Sequence, residues 1–377
     1  MPRPRGDCLP KFDRGPPACD VAKTFDMMKL AILHQGHETS TDPTIQNARN
    51  LRDVLTATAR ELGFLAEPVF LDDEMAWVAT LRRLQPDLVF NAADLGFFYD
   101  ITLEPHIAAV LEAMALPFTG SAAHAGILSG DKYSSKLLLD TLGLATPRCY
   151  LPAQLLADPA ARRAAHYPLI IKSRRGHNSV GMSARSVVRD ADSLPAQLAE
   201  TGVLPTQLLL EEFIDGREVC AGFIGNQPRT ILPIFEVPFD ALPPGAPRIL
   251  DFSAKWLPGT AEYDATIPYP AKLPEALTAR IEHSVRVIAE QFEMTDYGRI
   301  DFRLRPDGRG GWDPCVIDIN TNPDISKGAG LANMAAAAGF AYPELIRRVI
   351  DAARQRTAGS TRGNRPALGA PADSAAP

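Results

Sequence analysis

Two segments, Tyr297–Leu304 and Cys315–Pro323, constrain this chain more than any other part of it. Both alternate with period two, the pattern of half-buried strands. In the first, Ile300, Phe302 and Leu304 point one way, while Arg299 and Asp301 point the other. In the second, Ile317 and Ile319 are expected to face a core, with Asp318 and Asn320 on the opposite side. Pro306–Gly311 between them is built of turn-forming residues, so the spacing predicts an antiparallel hairpin. Folded that way, Asp301, Asp318, Asn320 and Arg299 share one polar face. Hard oxygen donors of this kind suit magnesium bridging nucleotide phosphates, and a neighbouring guanidinium suits an oxyanion. The alternative is a solvated hairpin face, which leaves the Asn-Thr-Asn-Pro-Asp run at 320–324 without a reason.

The rest of the chain sets the frame. Its 377 residues predict two or three domains, and 46% apolar residues can fill several cores. A net charge of -6 gives no nucleic-acid footprint. No apolar run approaches the roughly 18 residues of a membrane span. Cys8, Cys19, Cys149, Cys220 and Cys315 show no paired metal spacing and read as reduced thiols of a cytoplasmic protein.

An α/β organisation follows from the element pattern. Residues 1–27 read as a disordered extension rich in Pro, Arg and Gly. Strands at 30–33, 68–71 and 87–90 alternate with helices at 45–62 and 73–84, predicting a parallel-sheet domain over 28–121. A helix over 130–142 with Asp131 as N-cap opens a central unit at 122–205, which also holds a strand at 168–172. A third unit spans 206–355, with a strand at 207–213, the hairpin and a closing helix at 343–353. The residues from 356 to 377 read as a disordered tail.

Several polar segments lie at strand ends. Lys172 is followed by Ser173–Gly181, a loop of small and polar residues able to bring backbone N–H groups to phosphate oxygens. Gly176 and Gly181 have P-loop spacing, but Met182 stands where the lysine belongs, so a P-loop is rejected. On its own the loop fits an ordinary hairpin equally well. Glu211, Glu212, Phe213 and Ile214 follow a buried strand and offer donors, acceptors and apolar walls to a planar heterocycle. Glu218 could accept from ribose hydroxyls; a solvated acidic turn explains the same residues. Lys255 lies in an irregular stretch that suits a lid, or simply a surface lysine.

Taken together, these segments resemble the ATP-grasp fold, and within it the D-alanine–D-alanine ligase family, from about residue 28 to 350. Leu116–Ser121, Gly130–Lys132 and Lys136–Leu139 look like the entry to the central subdomain, and the resemblance implies that Lys136 binds nucleotide. Lys172 with Ser179–Met182 looks like the phosphate lysine and its loop. Glu211–Ile214 looks like the adenine hinge, Glu218 like the ribose carboxylate, and Lys255 like a lid lysine serving both nucleotide and catalysis. Arg299 looks like the oxyanion arginine, with Asp301, Asp318 and Asn320 as metal ligands. The resemblance implies an N-terminal parallel-sheet domain plus two α+β subdomains gripping ATP. It also implies ATP with two Mg2+ ions (Mn2+ as a substitute) and amide formation through an acyl phosphate.

The substrate side departs from that pattern. The family's glutamate-bearing first loop is replaced by His34–Asp42, and its His-Gly…Glu-Asp-Gly segment by the longer Ala92–Asp100. Trp256 replaces the lid tyrosine, Asn178 the first loop serine and Ala329 the carboxylate-binding serine. A carboxylate–amine ligase with other substrates than two D-alanines is therefore expected. The rivals are an authentic D-alanine–D-alanine ligase, a catalytically silent ATP-binding regulatory protein, and a phosphotransferase to alcohols. Expected partners are small-molecule carboxylates and amines, with a homodimer left open, and no nucleic acid or membrane.

Overall fold

A computed structural model describes residues 27–176, 183–242, 245, 247–250 and 266–358. The N-terminal sheet is parallel, in the order β2-β1-β3, from β1 (Lys29–His34), β2 (Leu65–Phe70) and β3 (Leu88–Asn91). Between β1 and β2 lies α1 (Pro43–Glu61), which starts where Asp42 accepts hydrogen bonds from the Thr44 and Ile45 amides at 2.8 and 3.3 Å. The helix expected at 73 begins three residues later, as α2 (Ala76–Leu84). Asp72 accepts from the Ala76 and Trp77 amides and so fixes the start. After β3 come α3 (Glu104–Ala113), α4 (Ala123–Gly130) and α5 (Lys132–Thr141). Asp131 caps α5 as expected, accepting from the Ser134 amide at 3.1 Å.

The central sheet is antiparallel. It comprises β4 (Cys149–Tyr150), β5 (Leu169–Ser173), β6 (Val187–Val188) and β7 (Leu208–Glu212), in the order β4-β7-β5-β6. Two short helices, α6 (Pro152–Ala157) and α7 (Pro159–Ala164), follow β4, and α8 (Leu194–Glu200) follows β6. β7 lies past the expected division at 205/206, yet it is hydrogen-bonded into this sheet, with Lys172 opposite Leu209. The reason is apolar: Leu208, Leu209 and Leu210 are buried, and Leu208 and Leu210 share a core with Leu169 and Ile171 of β5.

The third sheet runs β11-β10-β8-β12-β13, with β9 added to β8. Its strands are β8 (Arg217–Ile224), β9 (Thr230–Ile231), β10 (Phe235–Val237), β11 (Tyr269–Pro270), β12 (Tyr297–Pro306) and β13 (Trp312–Asn320). One face packs on α9 (Glu275–Gln291): Ile281, Val285 and Ile288 meet Ile300, Phe302 and Leu304. Each such fully buried side chain contributes about 1.5–3 kcal/mol, which fixes which face of β12 is polar.

Two further helices follow β13, α10 (Gly330–Ala337) and α11 (Tyr342–Ala358). α11 shares a core with the N-terminal domain, where Leu345, Ile346, Val349 and Ile350 join Leu30, Leu51 and Leu55. It runs past the expected helix end at 353, because Arg356 donates to buried Asp296 at 2.8 Å and to the Phe118 carbonyl at 2.7 Å. Among the described residues no helix is long and apolar enough to cross a membrane.

Candidate active site

The β12–β13 hairpin forms with the expected turn, where Asp307 accepts from the Arg309 and Gly311 amides at 2.7 and 2.8 Å. Arg299 lies opposite Asn320, and Asp301 opposite Asp318. Beyond that rung the register shifts, and Phe302 pairs with Val316. Ile317 is therefore the extra residue of a bulge. The core takes Val316 and Ile319, and Ile317 is only half-buried, contrary to the simple alternation read from sequence.

Two like charges directly opposed on one sheet face repel. Here each is held by a cation. Arg299 clasps Asp301 through both oxygens, at 2.8 and 3.0 Å. Burial pulls the Arg299 guanidinium down, but the Asp301 carboxylate outweighs it and the net shift is upward, so the group stays charged. Lys132 reaches Asp318 at 3.6 Å and donates to the Gly176 carbonyl. Lys132 was not among the sequence-derived site residues, although it follows the helix cap that sequence did find. Asn320 accepts from the Asn322 amide at 3.0 Å, which orients its side chain.

A second cluster sits on the central sheet. Glu211, almost fully buried, bridges Lys172 at 2.9 Å and Lys136 at 3.4 Å. Burial pushes the Glu211 carboxyl up, and Lys136 and then Lys172 more than reverse it, holding it below the usual range. Lys136 also donates to Thr146 at 3.0 Å, whose hydroxyl donates to the Val316 carbonyl at 2.8 Å. Expected to touch nucleotide, Lys136 is buried, and its observed partners are Glu211 and Thr146.

β12 joins these clusters. Its alternate residues Arg303 and Arg305 continue the row of Arg299 and Asp301. Arg305 donates to Glu212 at 2.8 Å, and Arg303 to Glu218 at 2.7 Å. The Phe213 amide donates to the Pro168 carbonyl at 2.8 Å, and Ile214 is buried, which ties the hinge segment to the central sheet. Sequence reasoning missed both arginines, although the period-two rule that found Arg299 and Asp301 puts them on the same face. Ser179 and Lys255, with Asn178 and Trp256, fall outside the described residues.

The expected substrate loops border this face. Gln35 accepts from the Leu95 amide at 2.8 Å and donates to the Gly96 carbonyl, pinning segment 92–100 to the end of β1. Gly96 has φ 75°, and a Cβ there would lie 1.9 Å from the Asp100 carbonyl oxygen, so only glycine fits. Of the three consecutive aromatic residues in this segment, Phe97 is buried in the core against Trp77, leaving Phe98 and Tyr99 exposed. Glu38 is paired with Arg52. Burial pushes the Asp94 carboxyl up to about 7, with Asp324 adding to the shift. Burial likewise pushes Glu104 up to about 8, with Asp94 adding to it, although Glu104 hydrogen-bonds Asn322. Tyr297 also donates to Asn322, two residues beyond Asn320, so these acids lie beside the hairpin's end.

Comparison with known proteins gives this geometry its class. Residues 155–351 match the family model described as the D-ala D-ala ligase C-terminus. A D-alanine–D-alanine ligase of Gluconobacter oxydans is 30% identical over 324 residues, covering 84% of this chain and 96% of the relative. An uncharacterized protein, y4sG, of Sinorhizobium fredii is 28% identical over 328 residues, covering 82% and 89%. In three dimensions the chain resembles a Bacillus anthracis D-alanine–D-alanine ligase complexed with ATP, with TM-score 0.66, 19% identity, and 88% and 99% of the two chains covered. The corresponding ligase of Coxiella burnetii gives TM-score 0.63, 17% identity, and coverage of 88% and 94%. Fold and site together define an ATP-grasp enzyme, an ATP-dependent ligase that forms carbon–nitrogen bonds. The chain belongs to the D-alanine–D-alanine ligase family, which sets aside the silent regulatory alternative.

Proposed function

We propose that the enzyme joins a carboxylate to an amine through an acyl phosphate, with substrates other than two D-alanines. The observation that carries this is the opposition of Asp301 and Asp318 two residue positions along the ladder from the Arg299–Asn320 pair, on the same face. Among the described residues no three His, Cys, Asp or Glu side chains gather into a metal cage. Two carboxylates and an amide instead suit Mg2+ that completes its shell with nucleotide phosphates and water. Asp301, Asp318 and Asn320 would hold one or two such ions, with Mn2+ as a substitute. When bound, the metal neutralises charge on the transferring phosphoryl group.

The chain's own residues supply the rest. Glu211–Ile214 line the adenine, and Glu218 accepts from the ribose hydroxyls. Lys172 and Lys132 set fixed cations beside the phosphates, with Lys255 as a third cation and Ser179 as a hydroxyl donor. The substrate carboxylate attacks the γ-phosphorus, releasing ADP and leaving a mixed anhydride. The amine then attacks the acyl carbon, Arg299 stabilises the oxyanion, and inorganic phosphate departs as the amine loses a proton. To reach substrate, Arg299 must share its donors between Asp301 and the acyl oxygen.

Asp94, Glu104 and Asp324 beside Asn322, with exposed Phe98 and Tyr99, support an acceptor pocket unlike one for D-alanine. Cys149, Cys220 and Cys315 are thiols in the described part of the chain, consistent with a cytoplasmic enzyme; a homodimer is compatible with this function. The second reading, an authentic D-alanine–D-alanine ligase, is favoured by the Gluconobacter relative. A coupled ADP-release screen of amino acids and small carboxylates separates the two. We expect poor turnover of D-alanine alone and better turnover when one partner is larger. Dimerisation of D-alanine with a kcat/KM above every other pair would establish the second reading instead.

A further inference from the structure

Arg303 has no part in the chemistry described above, yet it is the most heavily engaged cation on β12. It lies directly opposite Glu218 across the β12–β8 ladder. Its Nη2 meets Glu218 Oε2 at 2.7 Å, and the two side chains are only 7% and 10% exposed. Nη1 donates to the Gly216 carbonyl at 2.9 Å, and Nη2 also donates to the Arg248 carbonyl. The guanidinium lies 5.9 Å from the Phe213 ring centre and 5.0 Å from that of Phe239. Gly216 allows this closeness, since a Cβ there would lie 2.1 Å from the Leu304 carbonyl oxygen. One planar fork thus touches the Glu218 carboxylate, the turn after the hinge and an aromatic wall of the hinge.

We propose that Arg303 is a positioning residue for the nucleotide. It holds Glu218 and the Phe213–Gly216 turn in the arrangement that receives the ribose. This rests on the assignment of Glu218 to ribose hydroxyls made above. A carboxylate has about four acceptor positions, so Glu218 can take the Arg303 N–H bond and still accept from a diol. Lysine would keep the charge but not the fork that reaches the carboxylate and the Gly216 carbonyl together. The pair is not explained by stability alone, because buried ion pairs are often no better than apolar residues of similar size.

The test compares ATP with 2′-deoxy-ATP and 3′-deoxy-ATP as ligands of the full chain, by titration calorimetry. Wild type should bind at least one deoxy analogue about tenfold or more weakly than ATP, because a buried acceptor is left unpaired. In Arg303→Met and Arg303→Lys the ratio should fall towards unity, with the KM for the acceptor amine unchanged. Glu218→Gln should lose the same discrimination, and combining it with Arg303→Lys should lower it no further. It also serves should Arg303→Met not fold. A merely structural arginine would lower the thermal midpoint and leave the ratio intact, and that result overturns the inference. Absence of discrimination in wild type would overturn it as well, by removing Glu218 from the ribose. Failure of wild type to bind ATP at all would instead bring down the assignment of the nucleotide site itself.

Discussion

Asp301 and Asp318 are cross-strand partners on β12 and β13, held in that opposition by Arg299 on one side and Lys132 on the other. Such a pair raises the energy of the free protein and lowers that of a state with a divalent cation between the strands.

Asp318→Asn should therefore abolish ADP release while leaving the thermal midpoint of the free protein unchanged or slightly higher. In wild type, Mg2+ with ATP should raise the midpoint, and in the variant it should not. Undiminished turnover of wild type in a chelator would falsify the metal assignment.

Lys172 and Arg299 should separate by kinetic effect. Lys172→Ala should weaken ATP binding, both by removing the cation proposed to act on the phosphates and by leaving Glu211 paired with Lys136. Arg299→Ala should spare binding and lower kcat by about 10²–10³, as for other lost oxyanion donors. Calorimetry beside steady-state kinetics decides this, and weakened ATP binding with normal kcat in Arg299→Ala would reverse the roles.

Lys136→Met removes one of the two cations that balance buried Glu211. We expect a loss of up to about 3 kcal/mol in unfolding free energy, below the roughly 3–5 kcal/mol of a fully stranded buried charge, because Glu211 keeps Lys172 at 2.9 Å. Lys136→Met combined with Glu211→Gln should lose less than Lys136→Met alone. Urea denaturation of the set would show strictly additive losses if Lys136 and Glu211 did not interact.

Asp94 and Glu104 predict a pH dependence. Burial raises the Asp94 carboxyl to about 7 and the Glu104 carboxyl to about 8. An acid raised on folding holds its proton more tightly folded than unfolded. Its contribution is complete below the ordinary carboxylate range and disappears as pH rises through the folded value. Unfolding free energy should thus decline between about pH 5 and pH 8, by on the order of a few kcal/mol at most. Glu104→Gln should flatten the decline in urea titrations at stepped pH, and an unchanged slope would exclude Glu104 as its source.

Sequence alone determined what repeats locally. Alternation along β12 gave the polar row of Arg299 and Asp301 and the apolar row of Ile300, Phe302 and Leu304. Asp42 and Asp131 fixed helix starts through bonds to amides two or three residues away. Family resemblance in the order of these segments then identified the ligase class. Tertiary structure decided what depends on sheet order. β7 joined the central sheet because its leucines needed the apolar surface of β5. The bulge at Ile317 moved Val316 into the core, since pairing across the hairpin overrides strict alternation. The pairings of Lys136 with Glu211, Lys132 with Asp318 and Arg303 with Glu218 were not legible, although each residue was in plain view. A side chain's own sequence neighbourhood sets which way it points from its strand or helix; which charge it then meets is set by elements that pack beside it from elsewhere in the chain.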